Sequence, residues 1–549
     1  MEKQKDLYMK RILLLIIVML ALFLRLYDVG KVPAGIHRDE ESHGYNAFSL
    51  LNTGKDRYGE SFPILFRSFG SYQPPLYTYL AVIPIKLFGN TIQSVRLVSV
   101  FFGTALVLIT FFFAQNLFKS KYKDGLSLVF ALIIAISPIF IYFSRLVAEG
   151  NLGVTIFVAS MLFFLVSLRK SKLFILGSFL LALSTHAYYS ERIIAVIFLP
   201  LFLLIYKNYF LKNKTPVIIG ATVFMIMMLP HLWIATSGAL TRRLIEVGYG
   251  NDKIFFLEFI KRYLIYSSPS NIFFDLGPSL NRVSPGLGPF YMIFIAPFFL
   301  GIKYLKYFID KEKIKLLLLL IIISPIPASL TGDSYYPLRA LDQLWLVALV
   351  ISVGFIGFTR VNLPSKIIVI TLCFILLHSL ATFYVSYFVL FKYEAAPYYG
   401  NAYVSLMSNL RNYKDSKIII DSGRDPGIGL RMAYLTAYNP LDLQHKLRAQ
   451  LKSPYYSGEV ELYEDYDLGR IQIRAINWYQ DIYKEQIIIG DTLAISDQQA
   501  EEHHLKLEFE LTDLSNATKL RGFSTNPLAK CQSLDRRLIW ESKCQGILY

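Results

Sequence analysis

Cysteine is scarce in this chain: three residues in 549, too few for a disulfide scaffold or a zinc ribbon. Charge is scarce as well. Asp, Glu, Lys and Arg make up 17% of the residues, and the acidic sign is the rarer one, 40 against 56. The excess of +16 does not indicate a nucleic-acid face, because the Lys and Arg lie in short clusters between apolar runs. That spacing is a membrane-topology pattern. A phosphate-cradling glycine loop is missing too: "GLGP" and "GIGL" lack the strand-to-helix setting and spacing that such a loop needs.

What is abundant is apolar surface. Hydrophobic residues reach 54%, with 42 Phe and 37 Tyr, and the mean hydropathy is +0.43. A soluble fold cannot bury that much, so the expectation is a polytopic α-helical membrane protein. A span needs about 17–25 mostly apolar residues. Such runs occur near 11–27, 95–117, 126–143, 152–168, 173–190, 193–207, 216–236, 290–307, 315–331, 338–358 and 366–390, eleven in all. The shorter run 76–88 holds Pro84 and Lys86 and reads as a re-entrant or interfacial helix. With the N-terminus cytoplasmic, the basic clusters at 119–123, 169–172, 207–214, 303–315 and 360–366 all fall inside. The first span ends in Arg25-Leu26-Tyr27-Asp28 without a small-residue cleavage site, so it reads as an uncleaved anchor.

This topology predicts two parts. Residues 1–394 form a transmembrane domain with outer loops at 28–94 and 237–289. Residues 395–549 form a small mixed α/β domain outside the membrane, with a helix in "LMSNLRNYKDS" and strands at 417–421, "EQIIIGD" and "HLKLEFEL". Cys531 and Cys544 fall in that domain and could pair in an oxidising compartment. His186 and His231 read as lone histidines at span ends, suited to packing more than to metal.

The polar residues converge on the outer ends of the spans. Arg38-Asp39-Glu40-Glu41 follows directly on the first span. Three adjacent carboxylates are costly near lipid unless they face water, a cation or a reacting proton. Arg145 and Glu149, spaced i, i+4, would share a face if helical. Further groups are Tyr188, Tyr189, Glu191, Arg192, Arg242, Arg243, Asp275, Arg282 and Arg339. Guanidinium suits a phosphate, and a carboxylate suits a hydroxyl that must lose a proton. The plainer readings are surface ion pairs and an acidic cluster that only caps its loop or binds an ion.

The blocks "RDEESHGYNAFSLLNTGKDRYGESFPILFRSFGSYQPPLYTYL", "SPIFIYFSRLVAEGN", "LSTHAYYSERIIAVIFLPL", "NRVSPGLGPFYMIFIAPFFLGI" and "SPIPASLTGD", in that order, resemble the protein-mannosyltransferase-like glycosyltransferases, family 39 and its bacterial relatives, of GT-C fold. The resemblance covers roughly residues 10 to 390 and leaves the C-terminal domain without an assigned motif. It implies an inverting glycosyltransferase that moves a sugar from a polyprenyl-phosphate donor to a hydroxyl of a protein, lipid or cell-envelope glycan at the outer face of the cytoplasmic membrane. The family's acidic pair falls on Asp39 and Glu40, with Asp39 the expected base and Glu41 an additional acid. Its next acidic position falls on Glu149, beside Arg145. Arg192 resembles a donor-phosphate-side Arg, and Arg145, Glu149, Tyr189 and Arg282 are expected with it on the donor-phosphate and substrate-binding side. No cofactor is implied firmly, and a divalent metal is left open. The alternatives are a lipid-linked glycan flippase or transporter and a glycan polymerase; the few charges in the spans argue against a carrier.

Overall fold

The computed structural model describes residues 2–248, 254–274, 286–333, 335–358, 366–533, 543–544 and 547. The chain separates into two compact units. One holds Met1–Val32, Pro74–Leu80 and Arg96–Leu390; the other holds Pro33–Gln73, Ala81–Val95 and Phe391–Tyr549. The boundary expected at 394/395 is therefore redrawn. Most of the first outer loop belongs to the same unit as the C-terminal segment, because its helix finds its apolar partners there.

The first unit is helical. Among the described residues five helices are long and apolar enough to cross a membrane: Ile92–Leu117, Glu149–Ser167, Lys214–Ala235, Pro337–Gly357 and Ile370–Glu394. Several other expected spans are present as shorter or divided helices. The run 126–143 is split into Lys123–Ile136 and Pro138–Phe143, where Ser137 stands extended before the proline. Packing uses small residues, as helices in lipid do. A Cβ placed on Gly354 would lie 1.7 Å from the Pro297 carbonyl oxygen, so only glycine lets Leu341–Gly357 approach Ile295–Phe308 this closely. Trp345 is buried between Phe113 and Phe130 and donates to Thr110 Oγ1 at 2.9 Å.

The second unit contains a β-hairpin, β1 (Phe66–Ser68) and β2 (Ser71–Gln73), and a six-stranded sheet. The sheet strands are β3 (Ile418–Ile420), β4 (Tyr466–Leu468), β5 (Ile471–Ile473), β6 (Ile487–Gly490), β7 (Lys506–Thr512) and β8 (Thr518–Ser524), in spatial order β4-β5-β3-β6-β8-β7. The central strands β5, β3 and β6 run parallel, and the outer pairings are antiparallel. The Ile-rich central strands are buried, as a parallel sheet covered on both faces requires. Cys531 and Cys544 form a disulfide.

A helix at Arg38–Thr53, not expected from the sequence, packs on the helices Ile428–Leu435 and Pro440–Arg448. Tyr45 donates to the Tyr438 carbonyl at 3.0 Å, and Gln444 Nε2 donates to Ser49 and Thr53 at 3.0 and 2.7 Å. Arg67 on the hairpin is buried and donates to the Tyr455 and Pro454 carbonyls, to Ser453 and to Glu461, which ties the hairpin to residues 453–461.

Candidate active site

In the second unit, the acidic run Asp39-Glu40-Glu41 resolves into three different carboxylates. His37 is the N-cap of Arg38–Thr53. Its side chain accepts from the Asp39 N–H, and Glu40 accepts from the His37 N–H at 3.1 Å. That reciprocal capping box uses Glu40 to satisfy an otherwise orphaned helix-terminal donor. Glu41 is wholly buried against Arg431, 3.0 Å from its Nε. Asp39 differs from both, with its side chain 60% exposed. Gln73 Nε2 donates to Asp39 Oδ1 at 3.2 Å, and His37 Nδ1 stands 3.8 Å from Oδ2. Acidic residues in the first turn also suit the helix N-terminus. Helix geometry thus points one acid to the cap, one to the interior and one outward.

Arg431 joins this helix to a charge network. It reaches Asp425 at 3.4 Å, and Asp425 also pairs with Arg38 at 3.0 Å. The approach depends on Gly427: a Cβ there would meet Glu41 Oε1 at 2.7 Å and Arg38 Cγ at 2.9 Å. Burial pushes the Glu41 carboxyl up to about 8, against the opposing pull of Arg431. For Asp425 burial also pushes upward, but Arg431, the Gly427 N–H and Arg38 outweigh it and hold the carboxyl below the usual range.

Glu41 carries a pH consequence. Between about 4.5, its ordinary value, and about 8 the folded protein holds a proton on Glu41 that the unfolded chain has released. Stability therefore falls as pH rises across that window and levels above it. Thermal unfolding of the wild type and Glu41→Gln across pH 4–9 should show this slope in the wild type only. Parallel curves would contradict it.

In the first unit, Glu149, Tyr189 and Arg192 are charged or polar neighbours. Glu149 opens the helix Glu149–Ser167, and Tyr189 and Arg192 occupy the first turn of Tyr189–Ile205. Arg192 lies over the Tyr189 ring at 4.5 Å and donates through Nε to the Thr185 carbonyl at 3.2 Å. Its Nη2 is buried with no hydrogen-bond acceptor. An unmatched guanidinium nitrogen calls for an anion.

Arg145 is placed differently. It lies in the turn before Glu149–Ser167, so the two residues do not share a helical face. Its guanidinium donates to the carbonyls of Leu24, Arg25, Tyr27 and Val32 and to the Tyr387 hydroxyl. Arg25 is likewise occupied by the carbonyls of Ala21, Ile134 and Ala135. These two cations close helix ends, where unpaired carbonyls would be expensive in lipid. Arg282 and Asp275 lie outside the described residues.

Two buried pairs were not anticipated. Glu191 and Asp342 are buried acidic neighbours, and each has a carboxylate oxygen without a hydrogen-bond donor. His186 and His231 stack with ring centroids 4.2 Å apart; His231 Nε2 meets Thr185 Oγ1 at 3.1 Å, and His186 Nε2 meets the Met227 carbonyl at 2.9 Å. Both histidines are thus engaged in packing and hydrogen bonds. Among the described residues no three His, Cys, Asp or Glu side chains gather as a metal site. The sequence signal for both pairs was a polar residue at each of two span ends; what joins them is tertiary.

Residues 72–234 match the family model described as dolichyl-phosphate-mannose-protein mannosyltransferase, a match over well under half of the chain. The crystal structure of ArnT from Cupriavidus metallidurans bound to undecaprenyl phosphate aligns at a TM-score of 0.56 and 10% identity, covering 93% of this chain and 97% of that one. Its apo state aligns at 0.55 and 9%, covering 94% and 98%. The archaeal oligosaccharyltransferase AglB from Archaeoglobus fulgidus aligns at 0.47 and 13%, covering 78% and 64%. No curated protein sequence matches. The ArnT likeness shows a shared fold, residues 72–234 are similar to the mannosyltransferase family, and the long apolar helices are those of a multi-pass membrane protein.

Proposed function

We propose that this chain is an inverting glycosyltransferase that moves a sugar from a polyprenyl-phosphate donor to an acceptor hydroxyl at the outer face of the cytoplasmic membrane, with its N-terminus inside. The observation that carries this reading is the sorting of the acidic run. Two of its carboxylates are engaged in capping and ion pairing, and Asp39 alone stays exposed. A hydroxyl is a poor nucleophile at neutral pH until a positioned base takes its proton. Asp39 is that base, oriented by Gln73. Glu40, the second candidate, serves the cap instead.

The leaving group is a phosphate whose charge grows as the sugar departs, and a cation stabilises it most when little water intervenes. Arg192, braced by Thr185 and Tyr189, supplies that cation, with Glu149 as its acidic neighbour. Arg145 holds the framework. The ArnT structure, which has undecaprenyl phosphate bound, supports a lipid-phosphate donor for this fold. A protein, a lipid and a cell-envelope glycan all offer the required hydroxyl.

Arg192→Ala should lower kcat/KM for a polyprenyl-phosphate sugar by roughly ten- to a hundredfold, in line with losing about 1.5–3 kcal/mol of charged hydrogen bonding. Steady-state kinetics over a donor titration measures this. An unchanged kcat/KM would remove Arg192 from the donor site.

A further inference from the structure

The second unit holds a cavity of 260 Å³ that the catalytic reading does not use. Its position follows from the sheet. The chain leaves β3, returns in β5 on one side of it, then crosses to β6 on the other side. The crevice beyond the carboxyl ends of β3 and β6 is therefore a topological switch point, where open α/β sheets bind ligands. Asp421 directly follows β3 and Asp491 directly follows β6, and both line the cavity. Asn401, Tyr403, Asp425 and Asp513 line it as well.

The charges there are largely balanced. Arg424 pairs with Asp491, and Asp425 pairs with Arg38 and Arg431. Asp421 accepts two backbone N–H groups, from Gly423 and Ile476. Asp513 is the exception. Its side chain is fully buried and its Oδ1 accepts from Ser515, but its Oδ2 has no hydrogen-bond donor. Lys519 Nζ stands 3.7 Å away, beyond hydrogen-bond reach. A buried carboxylate oxygen without a donor is costly. Tyr403 adds an aromatic wall, with Arg431 over its ring at 5.1 Å.

We propose that this cavity is a binding site for a neutral sugar ring, whose hydroxyls donate to Asp421 and Asp513 and accept from Arg424 and Lys519. The residue types decide the class. Paired carboxylates still accept from hydroxyls, and their partner cations donate to them. A cation would find most of the carboxylates already neutralised, and no metal-holding group occurs among the described residues. The volume suits one ring better than a long glycan. Asp425 forms part of the wall and pairs with Arg38, the residue preceding Asp39, so occupancy bears on the helix that carries the proposed base.

The test uses full-length protein in lipid nanodiscs and a panel of methyl glycosides of neutral hexoses and pentoses, read by saturation-transfer NMR and calorimetry. At least one glycoside should bind, with affinity lowered tenfold or more by Asp421→Asn and by Asn401→Ala, and unchanged by Asp39→Asn. The last arm separates this site from the catalytic reading: binding that survives in a variant inactive in transfer belongs here. Absence of binding by every glycoside, binding indifferent to both cavity variants, or calcium binding in place of sugar would overturn the proposal.

Discussion

Asp39→Asn should lower sugar transfer by roughly 10²- to 10⁴-fold, the range that removal of a general base produces, while leaving the protein folded and donor affinity intact. The structural reason for expecting a clean variant is exposure. Asp39 projects outward with Gln73 as its hydrogen-bond donor and His37 nearby. Asn keeps the shape and can still accept from Gln73, so it removes basicity and little else. Glu40→Gln is the useful contrast. Gln at that position still completes a capping box with the His37 N–H, so its transfer rate should stay within severalfold of the wild type. Equal losses in both variants would mean that the acidic turn acts as a unit and that Asp39 has no separate role.

Above about pH 8, where Glu41 is ionised, Arg431→Met should destabilise the second unit by about 3–5 kcal/mol, because it leaves the Glu41 carboxylate buried without its cation. Asp425 would lose one of its two partners at the same time. The loss should reach activity as well as stability, since Glu41 and Asp39 lie on one helical turn. Replacing both members, Glu41→Met with Arg431→Met, should recover most of the stability, because an apolar pair of similar volume no longer carries an uncompensated charge. Thermal unfolding and hydrogen exchange across 38–53 and 428–435 measure both effects. A double variant as unstable as the single one would show that the pair's worth lies elsewhere.

The membrane part was legible in sequence because apolar length is a direct signal. The first helix, the long runs at 95–117, 152–168, 216–236 and 338–358, and the short helix 75–88 all appear near their expected places. Ile418–Ile420 and Ile487–Gly490 were legible for the same reason, since buried parallel strands are continuous apolar runs. The helix Arg38–Thr53 was not. It is largely polar and its cap is a histidine, so neither periodicity nor a standard Ser/Asp start marks it. Its apolar partners, Tyr434 and Tyr438 among them, lie almost four hundred residues later. The same distance hid the domain boundary. It also changes what truncation can teach: removing 395–549 would strip Arg38–Thr53 of its packing surface, so point variants must replace deletion as the probe of the C-terminal segment. Arg145 was readable as a cation beside a span, but the carbonyls of residues 24–32 that occupy it were not readable from its neighbours in sequence.

The most direct test of the account is donor consumption by the purified wild-type protein in lipid, supplied with a panel of polyprenyl-phosphate sugars and an acceptor fraction. The account predicts that one donor releases its polyprenyl phosphate and that its sugar appears on the acceptor with inverted anomeric configuration. Labelled lipid that crosses the bilayer with its sugar still attached, and no donor consumed, would contradict it and make the chain a carrier.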